Sequence, residues 1–282
     1  MSSNTASNAN STPLRQQPPL QQLITLAKTQ QFYWFLGHVF AVLFFLLSTI
    51  TGFWNPRSSI TYYRFTLLSI IITYIIVIKQ LYFRKSVVIS IRLLRDENVQ
   101  YLSLAVVFYL TSFKIGIIGG SLYSFIIFAI FHILNYFQNH LLPIVLPSSI
   151  AAQQKLNSMI NRFTQTYNQP ALVAASNAEI MCLLLCGFQL IPTVLINLLI
   201  KWDIITTLFR FVVFGVVLAF NKFRYDANQY TKAVIDQFDM KAKQLLSTRF
   251  PAYLPKYEQL KSLVIGKYIS KIQLPKEQAK KK

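Results

Sequence analysis

Long apolar runs, separated by short polar breaks, make up most of this chain. The first clear runs are 32–53 and about 62–83, and two more lie within 101–137, where one lysine and the Gly119-Gly120 pair interrupt them. Several helices that are apolar on all sides cannot be buried together in a soluble core, so the pattern indicates lipid. The glycine pair predicts a tight reversal between two short helices, because glycine adopts left-handed backbone angles without steric cost.

Two further runs bring the number of hydrophobic segments to about six. One is 171–200, with Pro192 as an expected kink, and the other begins at 204, ends near 220 and includes Arg210. Segments paired in three hairpins place both termini and the long loops on one side, and the basic residues there make that side cytosolic. The predicted fold class is an all-α, polytopic membrane protein with additional interfacial amphipathic helices.

The sequence divides into three predicted parts. Residues 1–25 are a polar and disordered N-terminal tail, residues 26–222 are the transmembrane domain, and residues 223–282 are a basic amphipathic cytosolic tail. Two loops within the middle part, 84–100 and 138–170, are polar enough to leave the membrane. Apolar residues at helical spacing in both loops predict helices that lie on the membrane surface.

The C-terminal tail contains the candidate membrane-binding residues. Half of the 28 lysines and arginines lie between Lys222 and Lys282, which accounts for much of the net charge of +19. A basic segment with tyrosines is compatible with nucleic acid, lipid or an acidic protein surface, but its position behind a membrane domain favours an anionic, curved bilayer and no nucleic acid. The predicted contacts are Tyr230, Val234, Phe238, Leu245, Leu246, Ile265, Ile269 and Ile272, with Lys256, Lys267 and Lys271.

Catalytic chemistry has little support in the sequence. The three histidines, His38, His132 and His140, are far apart, and no nucleophile, phosphate-loop or paired-carboxylate motif occurs. Cys182 and Cys186 lie four residues apart in an apolar helix without nearby histidine or carboxylate ligands, so they are interpreted as packing residues. The sequence therefore predicts a protein that is not an enzyme and that needs no cofactor or metal.

Glu179 is the one acidic residue inside an apolar segment. An ionised carboxylate is costly there and is usually paired or functional. We interpret it as the partner of Arg210 on the next segment, with a hydrogen bond from His132 as an addition. The alternative is an ion or proton path in a small transporter or channel, although such proteins usually show more than one interior polar site.

Short signatures spread over residues 30–240 make the chain similar to a known family. The residues that carry the similarity are Leu93-Leu94, Asp96, Tyr101-Leu102, Phe131-His132, Tyr136, Glu179-Ile180, Arg224-Tyr225 and Tyr230. In these the sequence resembles the transmembrane protein 33 family, which includes a pore-membrane nucleoporin of fungi.

The resemblance implies a non-enzymatic protein of the endoplasmic reticulum and nuclear envelope. It also implies roles in membrane shaping of the reticulon type and in the assembly or distribution of nuclear pores. Nucleoporins, reticulon-type proteins and an importin that binds the lysine-rich end are the protein partners expected on this basis.

Overall fold

Helices account for nearly all of the described chain in the computed structural model. The described residues are 18–82, 91–147, 149–198 and 200–272. No strand occurs within these ranges. The all-α class that the hydropathy pattern predicts is therefore confirmed.

The described residues form ten α-helices, together with short 3₁₀- and π-helices. The α-helices are α1 (Pro19–Ala27), α2 (Gln30–Thr51), α3 (Pro56–Tyr82), α4 (Glu97–Ile115), α5 (Tyr123–Tyr136), α6 (Leu142–Val145), α7 (Ile150–Pro192), α8 (Ile204–Ala227), α9 (Gln229–Arg249) and α10 (Leu254–Lys267). The π-helices are Phe137–Leu141 and Thr193–Leu198, and the 3₁₀-helices are Ile91–Arg95, Pro251–Tyr253 and Ile269–Lys271.

Five helical stretches in the described chain are long and apolar enough to cross a membrane. They are Gln30–Thr51, Pro56–Tyr82, Tyr123–Val145, Ile150–Asn197 and Ile204–Ala227. The shortest has 22 residues, or about 33 Å at 1.5 Å per residue, which exceeds a hydrocarbon core of about 30 Å. The sixth predicted segment is α4, a helix of 19 residues with Glu97 in its first turn and Lys114 in its last.

Six of the helices form a closed ring, and each of them packs against two other members of the ring. The order around the ring is α2, α3, α4, α8, α7, α5 and back to α2. Aromatic side chains fill its centre, where the Tyr101 ring lies 5.8 Å from that of Tyr74, 5.5 Å from Phe125 and 5.1 Å from Phe220. The middle of the ring is therefore packed with side chains.

The reversal between α4 and α5 falls at the predicted glycines. Gly116 and Gly120 have positive φ angles of 74° and 77°, and a Cβ at position 120 would lie 3.3 Å from the Cα of Cys182. The two helices differ from a closely packed hairpin, however. The link 116–122 separates them, so that α4 lies against α3 and α8 while α5 lies against α2 and α7.

Small residues bring α2 and α3 into close contact. A Cβ at Gly37 would lie only 2.3 Å from the hydroxyl oxygen of Thr73, so the two backbones can approach only because this position lacks a side chain. Near the turn, the Ser48 hydroxyl donates to the Ser59 carbonyl at 2.9 Å, and the Ser59 hydroxyl donates to the Ser48 carbonyl at 2.8 Å. Helices α2 and α3 are therefore held together at both ends of their interface, by the Gly37 contact at one end and the two serine hydrogen bonds at the other.

Helix α7 corrects the predicted boundary between a surface helix and a membrane segment. The sequence suggested a polar stretch up to Pro170 and re-entry near Ala171, whereas one helix of 43 residues passes through both. At 1.5 Å per residue this helix is about 65 Å long, twice the hydrocarbon thickness, so its polar N-terminal half projects beyond the membrane. After Pro192 the chain turns into the π-helix Thr193–Leu198, where the kink was expected.

The predicted disordered N-terminal tail overlaps a helix. Residues 1–17 lie outside the described chain, but α1 begins at Pro19 within the stretch expected to be disordered. Proline at the first helical position is favourable because it has no N–H to leave unpaired. The predicted surface helix at 84–100 lies partly outside the described residues, and its described part forms a 3₁₀ turn and the start of α4.

Candidate functional site

A buried ionic cluster joins three of the ring helices at one end of the bundle. Arg224 comes from the last turn of α8, Tyr101 from α4 and Glu179 from α7. Glu97, in the first turn of α4, completes it from the rim. Three positions that carry the family resemblance, far apart in the sequence, thus meet in one place.

The Arg224 guanidinium sits between two carboxylates. Its Nη1 lies 2.7 Å from Oε1 of Glu97, and its Nε lies 3.5 Å from Oε2 of Glu179. The side chains of Arg224 and Glu179 are 4% and 1% exposed, whereas that of Glu97 is 55% exposed. The Tyr101 hydroxyl donates to Oε1 of Glu179, and its ring lies 5.5 Å from the guanidinium carbon. The amide of Asn221 donates to the Glu179 carbonyl at 3.3 Å.

This arrangement is suited to fastening helices together. A buried ion pair retains its charges only where the partners and further hydrogen bonds replace water, and each of the groups around Glu179 comes from α4 or α8. Tyr101 therefore hydrogen-bonds one carboxylate oxygen, and the other oxygen lies at ion-pair distance from Arg224 without a hydrogen bond among the described residues. In this geometry contacts from α4 and α8 surround the charge.

The predicted pair of Glu179 with Arg210 is wrong. Arg210 instead donates from Nη1 to Oε1 of Gln189 at 2.5 Å. Helices α7 and α8 run antiparallel from the turn around Trp202, so partners must lie at similar distances from that turn along the two chains. Glu179 and Arg224 satisfy this condition, whereas Arg210 is about 21 Å nearer the turn along α8.

An aromatic cluster that the sequence analysis missed lies where α2 meets α5. The imidazole centroids of His38 and His132 are 4.8 Å apart, and the indole of Trp34 lies 4.7 Å from the first and 5.1 Å from the second. The sequence had suggested a hydrogen bond between His132 and Glu179. In the structure His132 belongs to this aromatic cluster instead. The packing of α2 on α5 brings these residues together across 94 positions of sequence.

No group of three or more histidines, cysteines, aspartates or glutamates in the described chain is placed to hold a metal ion. Cys182 and Cys186 are both free and buried, and they belong to the hydrophobic core. Their interpretation as packing residues agrees with this position.

The C-terminal tail forms a hairpin of α9 and α10 that one aspartate fastens. Asp239 of α9 accepts a hydrogen bond from the Tyr257 hydroxyl at 2.7 Å and forms an ion pair with Lys261 at 2.7 Å, both from α10. Lys243 lies 3.2 Å from Asp239 and 2.8 Å from Glu258. The hydrogen bond from Lys261, with those from Tyr257 and Lys243, lowers the pKa of Asp239 to about 2.

The structure separates the predicted tail residues into two groups. Val234 is only 3% exposed, and the Tyr230 hydroxyl donates to Gln169 of α7 at 2.5 Å. Because Val234 is buried, its prediction as a membrane contact is wrong. Tyr230 is half-buried and bonds to α7, and its membrane contact stays a prediction. The predicted tail also begins inside α8, which continues to Ala227.

The rest of the predicted tail residues lie on the outer part of the hairpin. Phe238, Leu245, Ile265 and the three lysines are exposed, and Leu246, Ile269 and Ile272 are half-buried. Leu260 and Leu263 of α10, which the sequence analysis missed, are 62% and 51% exposed. By helical spacing they share an arc with Lys256 and Lys267, so an apolar strip with basic flanks is displayed.

The fold and this site define a class: an all-α, multi-pass membrane protein whose helical ring is fastened by a buried ionic cluster and extended by a basic helical hairpin. A family model described as transmembrane protein 33/nucleoporin POM33 matches residues 13–268, so the chain belongs to this family. The resemblance found in the sequence is thereby confirmed.

Curated relatives match the chain over most of its length. The "Pore and endoplasmic reticulum protein of 33 kDa" of Saccharomyces cerevisiae is 34% identical over 238 residues, covering 80% of this chain and 85% of that protein. The "Pore membrane protein of 33 kDa" of the same yeast is 28% identical over 88% of this chain and 86% of that protein. The "Tetra-spanning protein 1" of Schizosaccharomyces pombe is 23% identical over 82% of this chain and 80% of that protein.

No solved structure matches the chain. The family and the spanning helices make this chain a multi-pass protein of the endoplasmic reticulum and nuclear pore membrane. The family is one of structural pore-membrane proteins and is not a known enzyme family.

Proposed function

We propose that this protein stabilises curved membrane at the endoplasmic reticulum and nuclear pore, without enzymatic activity, by laying its α9–α10 hairpin on the cytosolic leaflet. The observation that carries the proposal is the exposed strip of Leu260 and Leu263 between Lys256 and Lys267. Leucines of this exposure are stabilised by insertion among acyl chains, and each lysine near an anionic leaflet contributes about 1 kcal/mol.

The hairpin is also positioned for this role. Thr231 and Val234, which are 0% and 3% exposed, fasten the start of α9 to the membrane domain. A wedge attached to the spanning helices inserts into one leaflet only. Insertion on one side expands that leaflet and favours curvature toward it, which supports a role in shaping the pore membrane and in pore assembly or distribution.

The tail's charge supports protein partners as well. The lysine-rich end is suited to an importin, and curved membranes of this kind are shared with nucleoporins and reticulon-type proteins. We place these partners second to lipid, because the apolar strip has no use in a purely electrostatic contact.

The alternative function, a small transporter or channel, has less support from the geometry. Tyr101 and its aromatic neighbours occupy the centre of the helical ring, and the Glu179 carboxylate lies between the Tyr101 hydroxyl and Arg224. A conduction path along this axis would have to displace these side chains.

A sorting experiment tests the proposal with the full chain. Fluorescently labelled protein is reconstituted into giant vesicles containing anionic lipid, and its density on thin tubes pulled from them is compared with that on the flat parent membrane. The double variant Leu260→Asp/Leu263→Asp should lose most of the enrichment on tubes, since two leucines worth about 1.5 kcal/mol or more each on burial can no longer insert.

The matched control adds the same charge to the neighbouring arc of α10. Gln259→Asp/Ser262→Asp changes two exposed residues whose arc, by helical spacing, is centred about 100° from that of the leucine strip. It should retain most of the enrichment. Equal enrichment of the wild-type protein and the leucine variant would refute the proposed role of the hairpin.

A further inference from the structure

An open cavity of about 270 Å³ lies at the end of the bundle where α2 begins and α3 and α5 end. Four amide side chains line it: Gln31, Gln80, Asn135 and Asn139. Trp34 and Tyr136 supply aromatic surface, and the Tyr136 ring lies 4.7 Å from that of His140. The buried ionic cluster and the exposed leucine strip contribute no residue to this cavity.

The cavity is at the level of the lipid headgroups. Gln31 lies in the first turn of one spanning helix, Gln80 in the last turn of the next, and Asn139 near the end of the third. Tryptophan near the end of a spanning helix typically settles at this depth, as Trp34 does here. A ligand in the cavity would therefore reach it from the interface and not from the acyl chains.

The local backbone is adapted to this cavity. The chain between α5 and α6 forms the π-helix Phe137–Leu141, which contributes Asn139 and His140 to the lining. Such π-turns occur mostly as single insertions in α-helices and are frequent at functional sites. The widened turn is thus a second feature, independent of the side-chain lining, that marks the same place.

Tyr136 lines the cavity with its ring. The residue is 4% exposed, and its hydroxyl oxygen is buried beside that of Thr29. The Thr29 hydroxyl donates to the Leu26 carbonyl at 2.6 Å and accepts from the Phe32 amide at 3.2 Å. Because protein covers the Tyr136 hydroxyl, the hydrogen bonds to a ligand would come from the amide side chains.

The lining determines the chemistry of the ligand. Among the described residues, none that lines the cavity is acidic, a lysine or an arginine, so these residues offer hydrogen bonds to a ligand and no formal charge. Each amide side chain offers both donors and an acceptor, which suits hydroxyl groups, since these also donate and accept. The volume fits a headgroup and is too small for a whole lipid.

We propose that this cavity binds the polyhydroxylated headgroup of a membrane lipid, of the inositol type, with the amides bonding its hydroxyls and Trp34 and Tyr136 covering its ring. The proposal concerns a site separate from the tail and stands or fails independently of the curvature function.

The test measures thermal unfolding of the full chain in nanodiscs of phosphatidylcholine. Phosphatidylinositol is titrated in, and phosphatidylserine, which carries the same net charge, serves as the lipid control because the basic tail responds to charge alone. Stabilisation should grow with the fraction of phosphatidylinositol beyond that seen with phosphatidylserine. The variant Gln80→Leu/Asn139→Leu should need about tenfold more phosphatidylinositol for half of the effect, since two hydrogen-bonding groups are lost.

Two further variants separate ligand binding from folding. Gln138→Leu changes an amide in the same π-helix that bonds to Asn161 at 2.8 Å and does not line the cavity, so it should respond like the wild type. Tyr136→Phe removes a buried hydroxyl and keeps the ring that lines the cavity, so its response to phosphatidylinositol should equal that of the wild type.

Three outcomes would overturn the proposal. The first is equal stabilisation by phosphatidylserine and phosphatidylinositol, which would leave only a charge effect. The second is an unchanged response of Gln80→Leu/Asn139→Leu, which would place the site elsewhere. The third is an equal effect of soluble myo-inositol at matched concentration, which would show that the cavity takes free polyols and not a lipid headgroup.

Discussion

Removing the charge of Arg224 should destabilise the protein more than removing that of Glu179. In Arg224→Gln the Glu179 carboxylate, whose side chain is 1% exposed, loses the arginine that pairs with it. An uncompensated buried charge typically costs about 3–5 kcal/mol. The hydrogen bond from Tyr101 remains, but it cannot balance the charge.

Removing the charge of Glu179 leaves Arg224 with a second carboxylate, Glu97, to balance it. In Glu179→Gln the Arg224 guanidinium keeps its contact with Glu97 at 2.7 Å, and Glu97 is open to water on its other side. The loss should therefore be about 1–3 kcal/mol, the cost of a hydrogen bond to a charged group. The ionic cluster thus predicts an asymmetric pair of single-variant effects.

A double-mutant cycle in mixed micelles, with unfolding driven by added SDS, measures the coupling. The loss in Glu179→Gln/Arg224→Gln should fall short of the summed single losses by about 1 kcal/mol or more, because the second substitution removes a charge that the first left unpaired. Glu179→Gln with Arg210→Gln is the matched control, since Arg210 bonds to Gln189 at another depth. Its losses should add to within about 0.5 kcal/mol.

Two results would refute this reasoning. Additive losses for Glu179 and Arg224 would show that the contact between them has no energetic weight. Coupling of Glu179 with Arg210 in place of Arg224 would show that α7 and α8 are paired in a different register from that described above.

Three other expectations follow from the sequence and the fold. The sequence predicts that both termini are cytosolic, so the sequon at Asn10 should stay unglycosylated in cells, and an endoglycosidase-sensitive shift that disappears in Asn10→Gln would overturn the predicted topology. Because ion pairing lowers the pKa of Asp239 to about 2, its contribution to the tail hairpin is present above the ordinary aspartate value of about 3.9 and is lost as the pH falls through about 2. The protection of α10 amides, which is the intrinsic exchange rate at each pH divided by the observed rate, should fall over that interval in the wild type and not in Asp239→Asn. Gly37→Ala should destabilise by about 1–3 kcal/mol, since its Cβ would lie 2.3 Å from the Thr73 hydroxyl, and adding Thr73→Ala should recover part of the loss in the same unfolding assay.

Hydropathy alone was sufficient for the fold class and for the approximate positions of the apolar segments. A chain in lipid must satisfy its backbone hydrogen bonds internally, so a long apolar run has one available structure, the helix. The reversal near Gly120 was also predictable, because few other residues adopt its φ of 77°. The amphipathic pattern likewise indicated a basic helical tail, and short signatures indicated the family.

Which helix faces which was decided only by the tertiary structure. Hydropathy reports that a segment is apolar but not which side of it meets a neighbour, so the contact of His38 with His132 had no signal in the sequence. The same limit applies to Val234, whose position on an amphipathic face is compatible with either lipid or protein, and which is 3% exposed in the fold. The partner of Glu179 could have been predicted from the sequence, since the distance along the chain from the turn at Trp202 favours Arg224 over Arg210. Tyr101 meets Glu179 and Arg224 only because α4 packs against α8 and not against α5, the helix that follows it in sequence. Side-chain packing around the whole ring sets this order of helices, and hydropathy does not report it.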